Sequence, residues 1–125
     1  MRLLLDTNAF IWWIDDSRRL HAPARDAIRS PDNEVVVSAV SAWEIALKVR
    51  LRKLRFDADV VEQTDVNDFE RLEITFEHAS AAGALPLHHR DPFDRMLAAQ
   101  ARQEGLTLVT DDPVFARYGV PVLAA

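Results

Sequence analysis

Leu3-Leu4-Leu5-Asp6-Thr7-Asn8-Ala9-Phe10-Ile11-Trp12-Trp13-Ile14 opens the chain with two apolar runs parted by a short polar break. Leu3 to Leu5 lacks the apolar–polar alternation of a half-exposed strand, so it reads as a short strand buried on both faces. Ala9 to Ile14 continues as a helix. A strand covered on both faces belongs in a parallel sheet with helices above and below it.

The rest of the chain extends that pattern. Glu34 to Ser38, centred on Val35, Val36 and Val37, is the clearest β-branched strand. Shorter strands are expected at Leu72 to Ile74, Leu106 to Val109 and Val120 to Leu123. Between them lie helical stretches: Leu20 to Ser30 with Pro23 in its first turn, Asp59 to about Phe69, Phe76 to Ala84, and Pro92 to Glu104 closed by Gly105. A longer helix is expected from near Ser41, with Trp43, Leu47, Leu51 and Leu54 on one apolar face and Lys48, Arg50, Arg52, Lys53 and Arg55 around the remainder. Leu85 to Arg90 is left as a loop. The expected fold is three-layer α/β/α, with a central, mostly parallel sheet of four or five short strands in one domain spanning residues 1–125.

Composition narrows the function classes. The 125 residues are 49% hydrophobic and 28% charged, which suits one compact core. Cysteine is absent, which excludes disulfides, thiolate nucleophiles and zinc–thiolate sites, and fits a reducing cytoplasm. No apolar run is long enough to span a bilayer, and Asp6 and Asn8 interrupt the N-terminus where a secretory signal stays apolar. A net charge of -5 argues against simple electrostatic capture of a polyanion, but fits acids gathered in one place.

Four carboxylates fall where a parallel α/β sheet binds ligands, outside the carboxyl ends of its strands. Asp6 ends the first strand, and Glu44 is expected in the first turn of the helix after the second. Asp94 lies in the first turn of the helix after the loop, and Asp112 follows the strand ending at Val109. Each also has a purely structural explanation. Asp6 can cap the helix from Thr7, and Ser41 with Glu44 fits a capping box. Asp91-Pro92-Phe93-Asp94 reads as a cap, a first-position proline and a dipole-favoured acid, and Asp112-Pro113 repeats the cap and proline. Capping alone would scatter the acids over both sheet edges, whereas these share one. Gathered carboxylates repel unless a cation neutralises them, which points to Mg²⁺ or Mn²⁺ with oxygen ligands.

These stretches resemble a known family. Leu3-Leu4-Leu5-Asp6-Thr7-Asn8 is similar to the first signature of PIN domains, and Ser41-Ala42-Trp43-Glu44-Ile45 to the second. Leu85-Pro86-Leu87-His88-His89-Arg90-Asp91-Pro92-Phe93-Asp94-Arg95-Met96-Leu97-Ala98-Ala99-Gln100-Ala101 resembles the third, and Leu108-Val109-Thr110-Asp111-Asp112-Pro113-Val114-Phe115 the fourth. Within PIN domains, the short length and the third stretch look most like VapC toxins of toxin–antitoxin pairs. The resemblance implies a magnesium-dependent endoribonuclease cutting RNA, held inactive by a cognate antitoxin protein and commonly a homodimer. By position, it implies Asp6, Glu44, Asp94 and Asp112 as metal-binding acids, with Asp6 and Asp94 the leading direct ligands. Thr7, Asn8 and Thr110 match supporting polar positions. Asp111 and Asp112 are alternatives for the fourth acid, and Asp112 is preferred because it precedes proline, as in the family pattern.

Other polar residues are read more plainly. His88 and His89 are taken as loop residues, since adjacent side chains seldom point at one site. Arg90 and Arg95 are explained equally by phosphate contact or solvated ion pairs. The basic run Lys48 to Arg55 reads as a solvated helix face, and also as the best candidate for an RNA or antitoxin contact. Trp12, Trp13 and Trp43 are assigned to the core or a subunit interface. Two competing classes are a phosphatase-like or receiver-like α/β domain and a non-catalytic binding module of PIN type. The first fits poorly: position 8 is Asn rather than a second acid, and no lysine closely follows Val109.

Overall fold

The computed structural model describes residues 1–125. Five strands form one parallel sheet: β1 (Arg2–Leu5), β2 (Glu34–Ser38), β3 (Glu70–Leu72), β4 (Thr107–Thr110) and β5 (Val122–Ala124), in the order β3-β2-β1-β4-β5. β1 is the middle strand, with Leu4 opposite Val36 on one side and Leu108 on the other. Strand pleating sorts the apolar run into two layers. Leu3, Leu5, Val35, Val37 and Val109 pack with Phe10, Ile28 and Ile45 on one face. Leu4, Val36 and Leu108 pack with Leu97, Ala98 and Phe115 on the other. Leu3, Leu4 and Leu5 are each 0% exposed, as a strand covered on both faces requires.

The helices are α1 (Thr7–Ile14), α2 (Ala22–Arg29), α3 (Ala39–Arg50), α4 (Val60–Val66), α5 (Phe76–Ala84) and α6 (Pro92–Glu104), with a 3₁₀ helix at Pro113–Tyr118. From β1 through β2 to β3 the chain steps outward in one direction. It then crosses back through α5 and α6 to β4 and steps the other way to β5. The direction of winding therefore changes between β1 and β4. A crevice opens at the carboxyl ends of strands flanking such a reversal.

Most expected elements stand, with small shifts at strands: β3 lies two residues earlier than Leu72–Ile74, and β5 runs to Ala124. α5 and α6 have the expected bounds, and Gly105 closes α6 with a left-handed φ of 64°.

The larger correction concerns α3. It starts at Ala39, because Ser38, the last residue of β2, also caps the helix by accepting from the Val40 N–H at 3.0 Å. The Ser41–Glu44 capping box does not form, and Glu44 sits in the second turn. The helix is turned accordingly. Val40, Ser41, Glu44 and Ile45 face inward, while Trp43, Leu47 and Leu51 are 57%, 37% and 53% exposed. Of the four residues expected on the apolar face, Leu54 packs against the core from beyond the end of α3, and Trp43 touches it at Phe93. Trp12 and Trp13 do pack there, whereas Trp43 is mostly exposed and meets the core edge-on at Phe93, their ring centroids 4.9 Å apart.

These burials predict a clear contrast in urea denaturation. Leu4→Ala should lower the unfolding free energy by about 2–5 kcal/mol. Leu51→Ala should change it by about 0.5 kcal/mol or less. Comparable losses at the two positions would contradict the outward turn of α3.

Candidate active site

The carboxyl edge of the sheet is assembled from five elements. Asp6 leaves β1 and caps α1, its Oδ1 accepting from the Ala9 N–H at 2.7 Å. Thr110, the last residue of β4, also hydrogen-bonds to Asp6. Asp112 follows β4 and caps the 3₁₀ helix, its Oδ1 accepting from the Val114 N–H at 2.9 Å. The Asp112 N–H donates to Thr110 Oγ1 at 3.1 Å. Thr110 thus ties the ends of two neighbouring strands together.

Asp94 enters from the first turn of α6, whose cap Asp91 accepts from the Phe93 and Asp94 N–H groups at 2.8 and 3.2 Å. Glu44 enters from α3. Thr7 Oγ1 donates to Glu44 Oε1 at 2.6 Å and lies 3.0 Å from Ser41 Oγ, and Lys48 pairs with Glu44 Oε2. The caps expected for Asp6, Asp91 and Asp112 are therefore real. They also aim the acids: each cap uses one oxygen, and the second oxygen of Asp112 meets His89.

The electrostatics are unfavourable without a cation. Burial pushes Asp6 up to about 6; bonds from Thr110 and Ala9 oppose this, and the charges of Asp111 and Glu44 add to it. Burial also pushes Asp94 up to about 7, with Asp91, Glu44 and Asp6 adding repulsion and His89 opposing. The amino edge of the sheet differs. There Arg2 reaches both Glu34 and Glu70 at 2.9 Å. At the carboxyl edge Lys48 is taken by Glu44, and no lysine or arginine pairs with Asp6, Asp94 or Asp112.

Several residues depart from expectation. His89 is not a bystander in the loop: its Nε2 lies 2.7 Å from Asp112 Oδ2 and 3.5 Å from Asp94 Oδ2. The adjacent histidines do diverge: His88 packs edge-on against Tyr118 instead. The available signal was His89's place just ahead of the Asp91 cap, where a side chain can fold over the first turn carrying Asp94.

Arg95 makes no ion pair. Its guanidinium donates to the carbonyls of Ala82, Gly83, Leu85, Pro86 and His89 at 2.8–3.2 Å, closing α5 and fixing the loop after it. Ser41 and Lys48, read as a cap and a solvated cation, are both partners within the site. Asn8 and Asp111 are exposed. A cleft of about 560 Å³, lined by residues including Arg29, Glu34 and Glu70, opens at the opposite edge, away from these acids.

A family model described as PIN domain matches residues 3–121. The chain belongs to the PIN domain family. This PIN domain is 33% identical over 113 residues to Ribonuclease VapC22 of Mycobacterium tuberculosis, covering 88% of this chain and 86% of that protein. Its fold is shared with VapBC2 from Rickettsia felis, bound to a DNA fragment from their promoter (TM-score 0.69, 18% identity, 98% of each chain). It is likewise shared with a toxin–antitoxin complex from Klebsiella pneumoniae (TM-score 0.65, 22% identity, 98% of this chain and 96% of that one). A receiver-like or phosphatase-like fold is thereby set aside.

The two raised carboxylates fix the sign of a pH effect in metal-free protein. A folded-state value above the ordinary 3.8 means the native state binds protons more tightly than the unfolded chain. The stability this contributes is present at low pH and is lost as pH rises through about 6 for Asp6 and about 7 for Asp94. In EDTA, Asp6→Asn and Asp94→Asn should therefore melt above wild type at pH 8, by roughly 3 °C or more, and the gap should shrink at pH 5. Adding Mg²⁺ at pH 8 should raise the wild-type melting temperature and leave both variants nearly unmoved. Variants that melt below wild type at pH 8 in EDTA would contradict the repulsion.

Proposed function

We propose that this PIN domain is a metal-dependent endoribonuclease that hydrolyses RNA phosphodiester bonds, acting as the toxin of a toxin–antitoxin pair. One observation carries the chemistry. Asp6 and Asp94 are desolvated within each other's field at the sheet's switch point, with no cation on hand to neutralise both. The similarity to a protein named as a ribonuclease directs that chemistry to RNA.

The donor set suits a hard divalent ion, Mg²⁺ or Mn²⁺, since it is built chiefly from carboxylate oxygens. Bound there, such an ion polarises a phosphate and lowers the pKa of an attacking water. Asp6 and Asp94 are the main ligands in this proposal. Glu44, oriented by Thr7, and Asp112, oriented by Thr110, complete the anionic wall. Asp112 is favoured over Asp111 as the fourth acid, because its Oδ2 meets His89 beside Asp94 while Asp111 is exposed. Asn8 lies beside Asp6 on the exposed side of the α1 N-terminus, where a substrate would pass.

Residues 1–125 act as one unit in this reading, in the cytoplasm. No helix is long and apolar enough to cross a membrane. A cognate antitoxin and a second copy of the chain are the proposed protein partners. The fold's likeness to VapBC2 and to a toxin–antitoxin complex supports the first. The exposed apolar side chains Trp43 and Leu47 on α3 and Leu51 at its C-cap, with Leu87 at 75% exposure, support a surface covered by protein.

Purified protein incubated with structured and unstructured RNA should cleave in Mg²⁺ or Mn²⁺ and stop in EDTA. Asp6→Asn and Asp94→Asn should each lower the rate by at least about a hundredfold. Cleavage surviving both variants would point to a contaminating nuclease. A wild-type protein that binds RNA without cutting it would favour the non-catalytic module instead.

A further inference from the structure

His89 is carried on a loop that the rest of the protein holds still. Arg95 binds the loop's carbonyls, including that of His89 itself at 3.1 Å. The His89 N–H donates to the Tyr118 phenol oxygen at 2.6 Å, and its ring packs 5.4 Å from that of Phe115. Phe115 and Tyr118 are buried, so these anchors are themselves fixed. This much support is unnecessary for a solvated loop histidine. It sets one ring nitrogen between two acids.

The distances suit ligation. Nε2 lies 2.7 Å from Asp112 Oδ2 and 3.5 Å from Asp94 Oδ2. One donor atom from each of His89, Asp94 and Asp112 falls within 4.8 Å of the others. Octahedral ligands at about 2.1 Å from an ion are about 3.0 Å apart when adjacent and about 4.2 Å apart when opposite. Three donors spread over such distances can share one ion with little movement.

We propose that His89 Nε2 is a nitrogen ligand of the metal site, alongside Asp94 and Asp112, and that it biases the site toward Mn²⁺ over Mg²⁺. The inference rests on the divalent-metal reading above and deepens it. Mg²⁺ keeps to oxygen donors and waters, whereas an imidazole raises affinity for transition ions more than for Mg²⁺. Arg95 and Tyr118 are positioning residues here: they act on the ring through the backbone.

The test uses the whole chain and Mn²⁺ as the probe. Bound Mn²⁺ is measured by electron paramagnetic resonance, nitrogen coupling by electron spin-echo modulation, and Mg²⁺ affinity by competition. Wild type should show directly coordinated imidazole nitrogen. In His89→Ala and His89→Gln that signal should vanish, with Mn²⁺ affinity down by about tenfold or more and Mg²⁺ affinity moved by less than about threefold. Bound Mn²⁺ without nitrogen coupling in wild type overturns the assignment even if the variants bind weakly. His89 would then act only by orienting Asp112, and that spectrum decides the point even if a variant unfolds. Mn²⁺ held equally by wild type and Asp94→Asn, or no divalent ion bound at all, overturns the metal reading beneath it as well.

Discussion

Carboxylates withdrawn from water in sight of one another set the terms for this protein. Asp6 is 6% exposed, and it raises the cost of ionising Asp94, as do Asp91 and Glu44. Removing one charge from water is costly, and placing a like charge nearby adds to that cost. The fold offsets part of it locally. Asp6 and Asp112 sit at helix N-caps, and Asp94 lies in a first turn, where free N–H groups favour the ionised form. The pKa values of Asp6 and Asp94 remain raised despite this, so the offset is incomplete. In the proposed reading, a divalent cation is the partner whose charge completes it.

The sheet explains why the acids meet there. Alternating side chains of β1, β2 and β4 fill two apolar layers, which locks register, because a one-residue slip would exchange the layers. With register fixed, the residues after β1 and β4 emerge side by side, and Thr110 binds to both Asp6 and Asp112. The two sheet edges are managed differently. Arg2 neutralises Glu34 and Glu70 at the amino edge, as structural ion pairs do. At the carboxyl edge Lys48 pairs with Glu44, while Asp6 and Asp112 are held by Thr110 and backbone N–H groups, which orient a carboxylate without removing its charge.

Much of this was legible in the residues. The unbroken leucine run gave a doubly buried strand, and the valines of β2 gave its neighbour, because both patterns report burial directly. Asp91-Pro92 and Gly105 marked both ends of α6, since cap, proline and left-handed glycine are local chemistry. The α3 face was misread for a tertiary reason. Trp43, Leu47 and Leu51 recur at helical spacing, but Ser38 starts the helix earlier and the sheet takes Val40 and Ile45 instead. His89 and Arg95 were undervalued because their roles depend on where α5 ends and how the following loop folds back over α6. Spacing along the chain carries no record of that.

The claim that a cation completes the carboxyl edge is tested most directly by growing crystals with Mn²⁺ and recording anomalous diffraction at the manganese edge. The account predicts an anomalous peak enclosed by Asp6, Asp94 and Asp112, with carboxylate oxygens about 2.0–2.3 Å away. Peaks confined to other surfaces, with those carboxylates bonded only to protein and water at millimolar Mn²⁺, would contradict it.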